Sequence, residues 1–351
     1  MKNIIFLTGT RADFGKLKSL ILISEQSNEI DTHVFVTGMH LNELYGYTVD
    51  EIEKLNFKNL YKFINHDENG SMDLTLAKTI YGFSNYVKKI NPDLIIVHGD
   101  RLEALAGAIV GSLNNILVAH IEGGEVSGTI DELIRHSVSK MSHIHLVSNS
   151  DAKQRLVQLG EYKKSIFIIG SPDLDLMNPE KLPSLKFVKN YYEIKFSNYS
   201  IAMFHPITTE YEKIEEYAEN FFEALVKSND NYILIYPNND LGSAEILKEI
   251  DKLKFNKKFK IFPSLRFEYF LTLLKECDYV IGNSSVGIRE APYYNVPTID
   301  VGTRQLNRAS LETISNCKYE TKEIIKTINK VRNLKKNKIN YKDYFGKGRS
   351  D

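Results

Sequence analysis

Residues 120–136 crowd together two kinds of group that do chemistry, carboxylates and bases. The run His120-Ile121-Glu122-Gly123-Gly124-Glu125 is followed by Asp131-Glu132-Leu133-Ile134-Arg135-His136. Carboxylates brought up to one substrate suit general acid–base work, removing a proton at one position and delivering it at another. A second cluster, His98-Gly99-Asp100-Arg101, offers one more carboxylate beside a base. Two further segments suit an anion. Thr8-Gly9-Thr10-Arg11-Ala12-Asp13-Phe14-Gly15-Lys16 puts a glycine turn, Arg11 and Lys16 ahead of a helical pattern. Gly282-Asn283-Ser284-Ser285 offers backbone N–H groups, two hydroxyls and a helix start. Both fit the rule that helix N-termini bind phosphates. Each segment also has a plainer reading. Asp131 and Arg135 share a helix face and an i, i+4 ion pair explains them as well. Ser284 or Ser285 serves as a helix N-cap, and Arg11 and Lys16 are solvated side chains on a tight turn.

The elements around these segments favour the chemical reading. Ile4-Ile5-Phe6-Leu7, Leu94-Ile95-Ile96-Val97 and Ile116-Leu117-Val118-Ala119 are continuous apolar runs, the pattern of parallel strands buried on both faces. With runs at 32–38, 60–63, 143–148 and 166–170, and helical patterns at 48–55, 74–90, 104–113 and 151–159 between them, they predict a doubly wound parallel domain. A polar loop at 66–71 precedes the 74–90 helix, and Gly170-Ser171-Pro172-Asp173 reads as the hinge to a second domain. There strands at 199–204, 232–236, 259–262, 279–281 and, last, 298–301 alternate with helices at 211–228, 243–253, 267–275 and 288–294. Residues 1–170 and 171–320 are thus two Rossmann-like units, and 321–351 a lysine-rich tail whose helix at 321–333 packs back on the body. In open α/β sheets ligands sit at the carboxyl ends of strands. Eight strand ends carry polar residues: Arg11, His40, Asp100 with Arg101, and Glu122 in the first domain, and His205, Asn238, Ser284 with Ser285, and Arg304 in the second. That repetition points to a cleft site between the domains.

Composition narrows the partners. In 351 residues, 45 basic and 45 acidic side chains cancel, so no global field recruits nucleic acid or an acidic membrane, and any anion site is local. The first apolar run breaks at Thr8-Gly9, too short for a membrane span. Two cysteines fit a reducing, cytoplasmic compartment. His40, His98, His120 and His205 are scattered without metal-ligand spacing, so no metal or other cofactor is expected.

Together, Gly9-Thr10-Arg11-Ala12-Asp13-Phe14, His98-Gly99-Asp100-Arg101, His120-Ile121-Glu122-Gly123-Gly124, Asp131-Glu132-Leu133-Ile134-Arg135-His136 and Gly282-Asn283-Ser284-Ser285-Val286-Gly287-Ile288-Arg289-Glu290 resemble the hydrolysing UDP-N-acetylglucosamine 2-epimerases of bacterial sialic-acid pathways. The resemblance spans about residues 1–310. It implies a GT-B fold, two Rossmann-like domains around a nucleotide-sugar cleft, and a homodimer through the first domain. It further implies Asp100, Glu122 and Asp131 as catalytic carboxylates acting on the sugar of a UDP-sugar substrate. Arg11, His205, Ser284 and Ser285 would then hold the phosphates and Glu290 the ribose, with Asn238 and Arg304 nearby. Lys16, His40, Arg101, Arg135 and Gly282 are supporting candidates, as is Leu265, whose backbone would read the uracil. The non-hydrolysing relatives carry Glu-Ala-Gly and Asp-Ser-Gly-Gly where this chain has Glu122-Gly123-Gly124 and Asn283-Ser284-Ser285-Val286, which is the hydrolysing pattern. A diacetamido-trideoxy UDP-sugar, a non-hydrolysing epimerase and a GT-B glycosyltransferase are the alternatives.

Overall fold

A computed structural model describes residues 1–66, 71–127, 130–305 and 311–332. The polar loop at 66–71 lies mostly, and the end of the lysine-rich tail wholly, outside the described residues.

The chain forms two compact units, with the change from first to second at Leu176 and Met177. The first carries β1 (Lys2–Thr8), α1 (Arg11–Gln26), β2 (Ile30–Val36), α2 (Val49–Glu53), β3 (Asn59–Lys62), α3 (Met72–Ile90), β4 (Leu94–His98), α4 (Leu102–Leu113), β5 (Leu117–Ile121), α5 (Ile130–Lys140), β6 (Ile144–Val147), α6 (Ser150–Gln158) and β7 (Ile166–Ile168). Its seven strands are all parallel in the order β3-β2-β1-β4-β5-β6-β7. The apolar runs explain why: Ile5, Val34, Ile95 and Val118 are fully buried, with Leu17 and Ile21 of α1 packed beneath the sheet.

The second unit carries α7 (Leu185–Tyr191), β8 (Ser200–Met203), α8 (Ile214–Ser228), β9 (Tyr232–Ile235), α9 (Ser243–Asp251), β10 (Phe259–Phe262), α10 (Phe267–Glu276), β11 (Val280–Gly282), α11 (Glu290–Tyr293), β12 (Thr298–Val301), β13 (Ile314–Cys317) and α12 (Thr321–Arg332). Its six parallel strands follow the order β10-β9-β8-β11-β12-β13. Both sheets therefore reverse direction once, between β1 and β4 and between β8 and β11. Those are the topological switch points where α/β sheets open for ligands.

One expectation changes. The strand at 298–301 is not the last, because Ile314-Ser315-Asn316-Cys317 adds an edge strand. Edge strands are buried less, and this one is too polar for the apolar-run criterion. In the segment read as the hinge, Gly170–Asp173, Ser171 is 1% exposed, and Pro172–Asp175 forms a 3-10 turn packed on α1.

The start of the tail does fold back. Ile324, Ile328 and Val331, at helical spacing on α12, are buried in the second unit's core beside α8. Full burial of such side chains is worth about 1.5–3 kcal/mol each. Arg332 closes the helix by pairing with Asp230 at 2.7 Å. Among the described residues no helix is long and apolar enough to cross a membrane.

Candidate functional site

In the first unit the site grows from the ends of β1, β4 and β5. The residue after β5 is Glu122, whose backbone is left-handed at φ +62° although it is not glycine. That conformation costs roughly 1–2 kcal/mol and persists where surroundings over-determine it. Here they do. The Glu122 N–H donates to the Leu146 carbonyl at 2.9 Å. Its carboxylate, 3% exposed, accepts from Lys16 Nζ at 3.2 Å, from His98 Nε2 at 2.9 Å and from Ser171 Oγ. Lys16 is thus no solvated arm. It reaches across 106 residues of sequence to neutralise a buried carboxylate.

Asp100 follows β4 and keeps a quarter of its side chain exposed, at 24%. Arg135, 2% exposed, comes from α5 to donate through Nη2 to its carboxylate and through Nη1 to the Glu125 carbonyl at 3.3 Å. Helical spacing suggested a local partner for Arg135 in Asp131, itself buried on the first turn of α5. The fold also carries the guanidinium to the end of β4. Arg101 occupies the N-cap position of α4.

His120 fastens this corner. Its Nε2–H donates to the Gly99 carbonyl at 2.8 Å and its Nδ1 accepts from Ser139 at 3.0 Å, joining β5, the Asp100 loop and α5. Burial pushes its pKa down to about 3. His40 is likewise buried between Thr8 at 3.0 Å and Thr48 at 2.6 Å, and burial, then the charge of Arg11, lowers its pKa to about 3. Both are neutral packing histidines, so His40 keeps its place at a strand end without being a charged group there.

These two histidines set an acid response of the fold. The unfolded chain protonates each imidazole below its ordinary pKa of 6.5, and the folded protein only near 3. Each histidine therefore contributes stability that is present above pH 6.5 and is lost as pH falls towards 3, at about 1.4 kcal/mol per pH unit. His120→Gln is expected to flatten the pH dependence of the unfolding free energy by about that slope between pH 6.5 and 4.5. Denaturant titrations of both proteins at several pH values test this, and parallel curves would refute it.

The β1–α1 turn needs a correction. The Gly9 and Thr10 amides are already taken, because Asp13 accepts from Gly9 N at 3.0 Å and from Thr10 N at 3.2 Å while Thr10 returns a capping bond to Asp13 N. The chain's own carboxylate fills the helix start. Burial raises the Asp13 pKa. Arg11, on the first turn of α1, is what the turn presents.

In the second unit Asn283, fully buried, ties the strand ends together. Its Oδ1 accepts from His205 N at 2.7 Å and its Nδ2 donates to the His205 carbonyl at 2.8 Å. Its own carbonyl accepts from Arg304 Nη1 at 3.3 Å and Gln305 Nε2 at 2.9 Å. His205 Nδ1 accepts from Asn238 N at 3.0 Å, which assigns the proton to Nε2. So His205, Asn238, the Ser284–Ser285 loop and Arg304 meet at the β8–β11 switch point. Asp300, on β12, is pushed up to about 7 by burial, against the charge of Arg304. Leu265 lies past the end of β10 and is buried.

The serine loop differs from expectation in one respect. Ser284 caps only a three-residue 3-10 turn, Ser285–Gly287, and the helix carrying Glu290 has four residues. A helix dipole adds little over such lengths, so hydroxyls and amides are the donors there. Glu290 is 5% exposed at the helix start.

Sequence reasoning missed His98 and Ser171 as partners of Glu122, and Asn283 and Gln305 as the frame of the second unit. His98, Ser171 and Asn283 stand at strand ends, and that position was the available signal. Among the described residues no group of His, Cys, Asp and Glu is arranged to hold a metal ion.

Comparison with known proteins gives this geometry a family. A family model described as UDP-N-acetylglucosamine 2-epimerase matches residues 23–351. The chain is 53% identical over 336 residues to the UDP-N-acetylglucosamine 2-epimerase of Neisseria meningitidis serogroup B, covering 96% of this chain and 89% of that one. It is 33% identical over 355 residues to the hydrolyzing UDP-N,N'-diacetylbacillosamine 2-epimerase of Legionella pneumophila, covering 100% and 93%. The solved structure of the Methanocaldococcus jannaschii UDP-GlcNAc 2-epimerase, in complex with UDP-GlcNAc and UDP, is similar at a TM-score of 0.82 and 26% identity, covering 100% and 97%. The fold class is therefore α/β of the GT-B type, two Rossmann-like units, as the motifs implied. Matched by the family model along most of its length, and more than half identical to a relative over nearly all of it, the chain belongs to the UDP-N-acetylglucosamine 2-epimerase family.

Proposed function

We propose that this protein is a hydrolysing 2-epimerase that converts UDP-N-acetylglucosamine and water to N-acetylmannosamine and UDP, feeding sialic-acid synthesis. The C2 hydrogen of the sugar is too weakly acidic for a simple proton swap. Removing it while the C1–O bond to UDP breaks gives 2-acetamidoglucal. Water then adds across the C1–C2 double bond, with its oxygen on C1 and a proton on the opposite face of C2. Asp100 takes the first proton, and Glu122 and Asp131 serve hydration and reprotonation. Charge developing on the departing diphosphate is met by Arg11, the Nε2–H of His205, Ser284 and Ser285. Glu290 binds the ribose, Asn238 and Arg304 adjoin the nucleotide, and the Leu265 backbone reads the base.

The observation that supports this reading most is the pair of strand-end carboxylates, Asp100 held by Arg135 and Glu122 held by Lys16, His98 and Ser171, in a chain of this family. A transferase needs an acceptor site and gives no reason for them. The hydrolysing form is supported by the Glu122-Gly123-Gly124 and Asn283-Ser284-Ser285 segments and by the relative from Legionella that bears that description.

Incubation with UDP-N-acetylglucosamine in deuterated water, followed by NMR, tests the reading. Free UDP and N-acetylmannosamine deuterated at C2 are expected. An intact UDP-sugar product, UDP release that depends on an added acceptor, or turnover only of a diacetamido sugar would each overturn it.

A further inference from the structure

The segment that leaves the first unit after β7 runs directly under Glu122. Gly170 turns the chain at φ +77°, and Ser171, next in line, is 1% exposed. Its backbone is set by the turn it opens, since the Ser171 carbonyl accepts from Leu174 N at 3.0 Å and Pro172 comes directly after it. A proline has one permitted φ and no amide hydrogen, so it stiffens that turn. The side chain is therefore presented from a rigid backbone, and its hydroxyl donates to Oε1 of Glu122, 49 residues away in sequence.

His98, Lys16 and Ser171 all donate to the Glu122 carboxylate. His98 Nε2 serves Oε2 at 2.9 Å, Lys16 Nζ lies 3.2 Å from Oε2 and 3.4 Å from Oε1, and Ser171 serves Oε1. Oε2 thus takes His98 and the shorter contact of Lys16, while Oε1 takes the Ser171 hydroxyl and the longer contact of Lys16. The terminal torsion of a carboxylate is broad and two-fold, so a short, neutral donor on a rigid backbone restricts it further than a flexible lysine does. With both oxygens tied, its plane is fixed relative to the strand end. Each donor also stabilises the anion over the protonated acid.

We infer that Ser171 is a positioning residue for the reaction, holding the Glu122 carboxylate in one orientation at the end of β5. The inference rests on the reading of Glu122 as an acid–base group of the 2-epimerase. Ser171 itself touches no reacting atom in this scheme. Its role is to supply a fixed hydrogen-bond donor from a buried position.

Two measurements on the full-length protein test it. In Ser171→Ala, kcat is expected to fall about tenfold with KM within about twofold. The limb of the pH–rate profile set by Glu122 should move to higher pH by about 0.5–1 unit. The second readout needs no turnover: with 13C-labelled glutamate, the Glu122 carboxyl resonance titrates with a midpoint raised by the same amount in the variant. Ser171→Thr, which keeps the hydroxyl, is expected to restore both. A wild-type midpoint and profile in Ser171→Ala would overturn the inference. So would a loss of kcat with neither moved, which is what a merely structural role produces. If Ser171→Ala does not fold, Ser171→Cys, of similar size and a weaker donor, gives the same titration with the same expected direction. Absence of epimerase activity in the wild type would sink the functional reading alone, because the carboxyl titration still decides whether Ser171 sets the state of Glu122.

Discussion

Asp100→Asn is expected to lower kcat by about a hundredfold to ten-thousandfold, the usual range for loss of a general base, while the Kd for UDP stays within about threefold. The amide has nearly the shape of the carboxylate but cannot accept the C2 proton. UDP affinity is spared because the groups assigned to the nucleotide, apart from Arg11, come from the second unit's strand ends. The variant also carries a structural cost that must be separated from the chemical one. Arg135 is 2% exposed and donates to Asp100. A neutral partner leaves that buried guanidinium less well compensated, at about 1–3 kcal/mol. Steady-state kinetics and UDP titration calorimetry, both run well below the variant's melting temperature, separate the two. A large loss of UDP binding would place Asp100 in a structural role and refute the assignment.

The second large effect concerns stability. Gly282 ends β11 with φ +135°, and a Cβ built there lies 1.9 Å from the Met203 carbonyl oxygen of the neighbouring β8. No rotamer change relieves that contact, because the obstacle is backbone in a paired strand. Gly282→Ala must therefore push β8 from β11 at the switch point that carries His205 and Asn283. A cost of about 4 kcal/mol or more is expected, at the exceptional end for single substitutions. This corresponds to a melting temperature lower by about 10 °C for a unit of this size. Gly160 is the control. It also has positive φ, at +87°, but a Cβ there meets nothing within 4 Å. Gly160→Ala should cost only about 1 kcal/mol, the backbone term alone. Thermal unfolding of the two variants separates clash from conformation, and equal losses would refute the argument.

Much of this was legible before any fold was known, because the informative features are local. A strand buried on both faces must be apolar along its length, so Ile4–Leu7 and Leu94–Val97 announce themselves. Residues just past such a strand lie at a carboxyl end, and that position brought Asp100, Glu122, His205 and Ser284 forward together. Polar edge strands carry no such signature, so Ile314–Cys317 passed unnoticed. The histidines were ambiguous for a related reason. His40 and His120 stand at or beside strand ends like the candidates, and only burial separates a packed neutral imidazole from a charged one.

The 120–136 stretch shows where each source of information stops. Its residue types and its place after an apolar run are matters of sequence, and they were enough to bring forward the candidate acid–base groups and to point to the family. Which partner each group takes was decided by the tertiary structure. Spacing along α5 could point only to Asp131, four residues from Arg135, and nothing in it announced that the guanidinium reaches Asp100, 35 residues off. Glu122 takes Lys16 from 106 residues upstream and Ser171 from 49 downstream. The physical reason is reach. Helical and strand periodicity reports only neighbours along one element, whereas a buried charge takes the donor that strand order and burial bring within about 3 Å, wherever it lies in the chain.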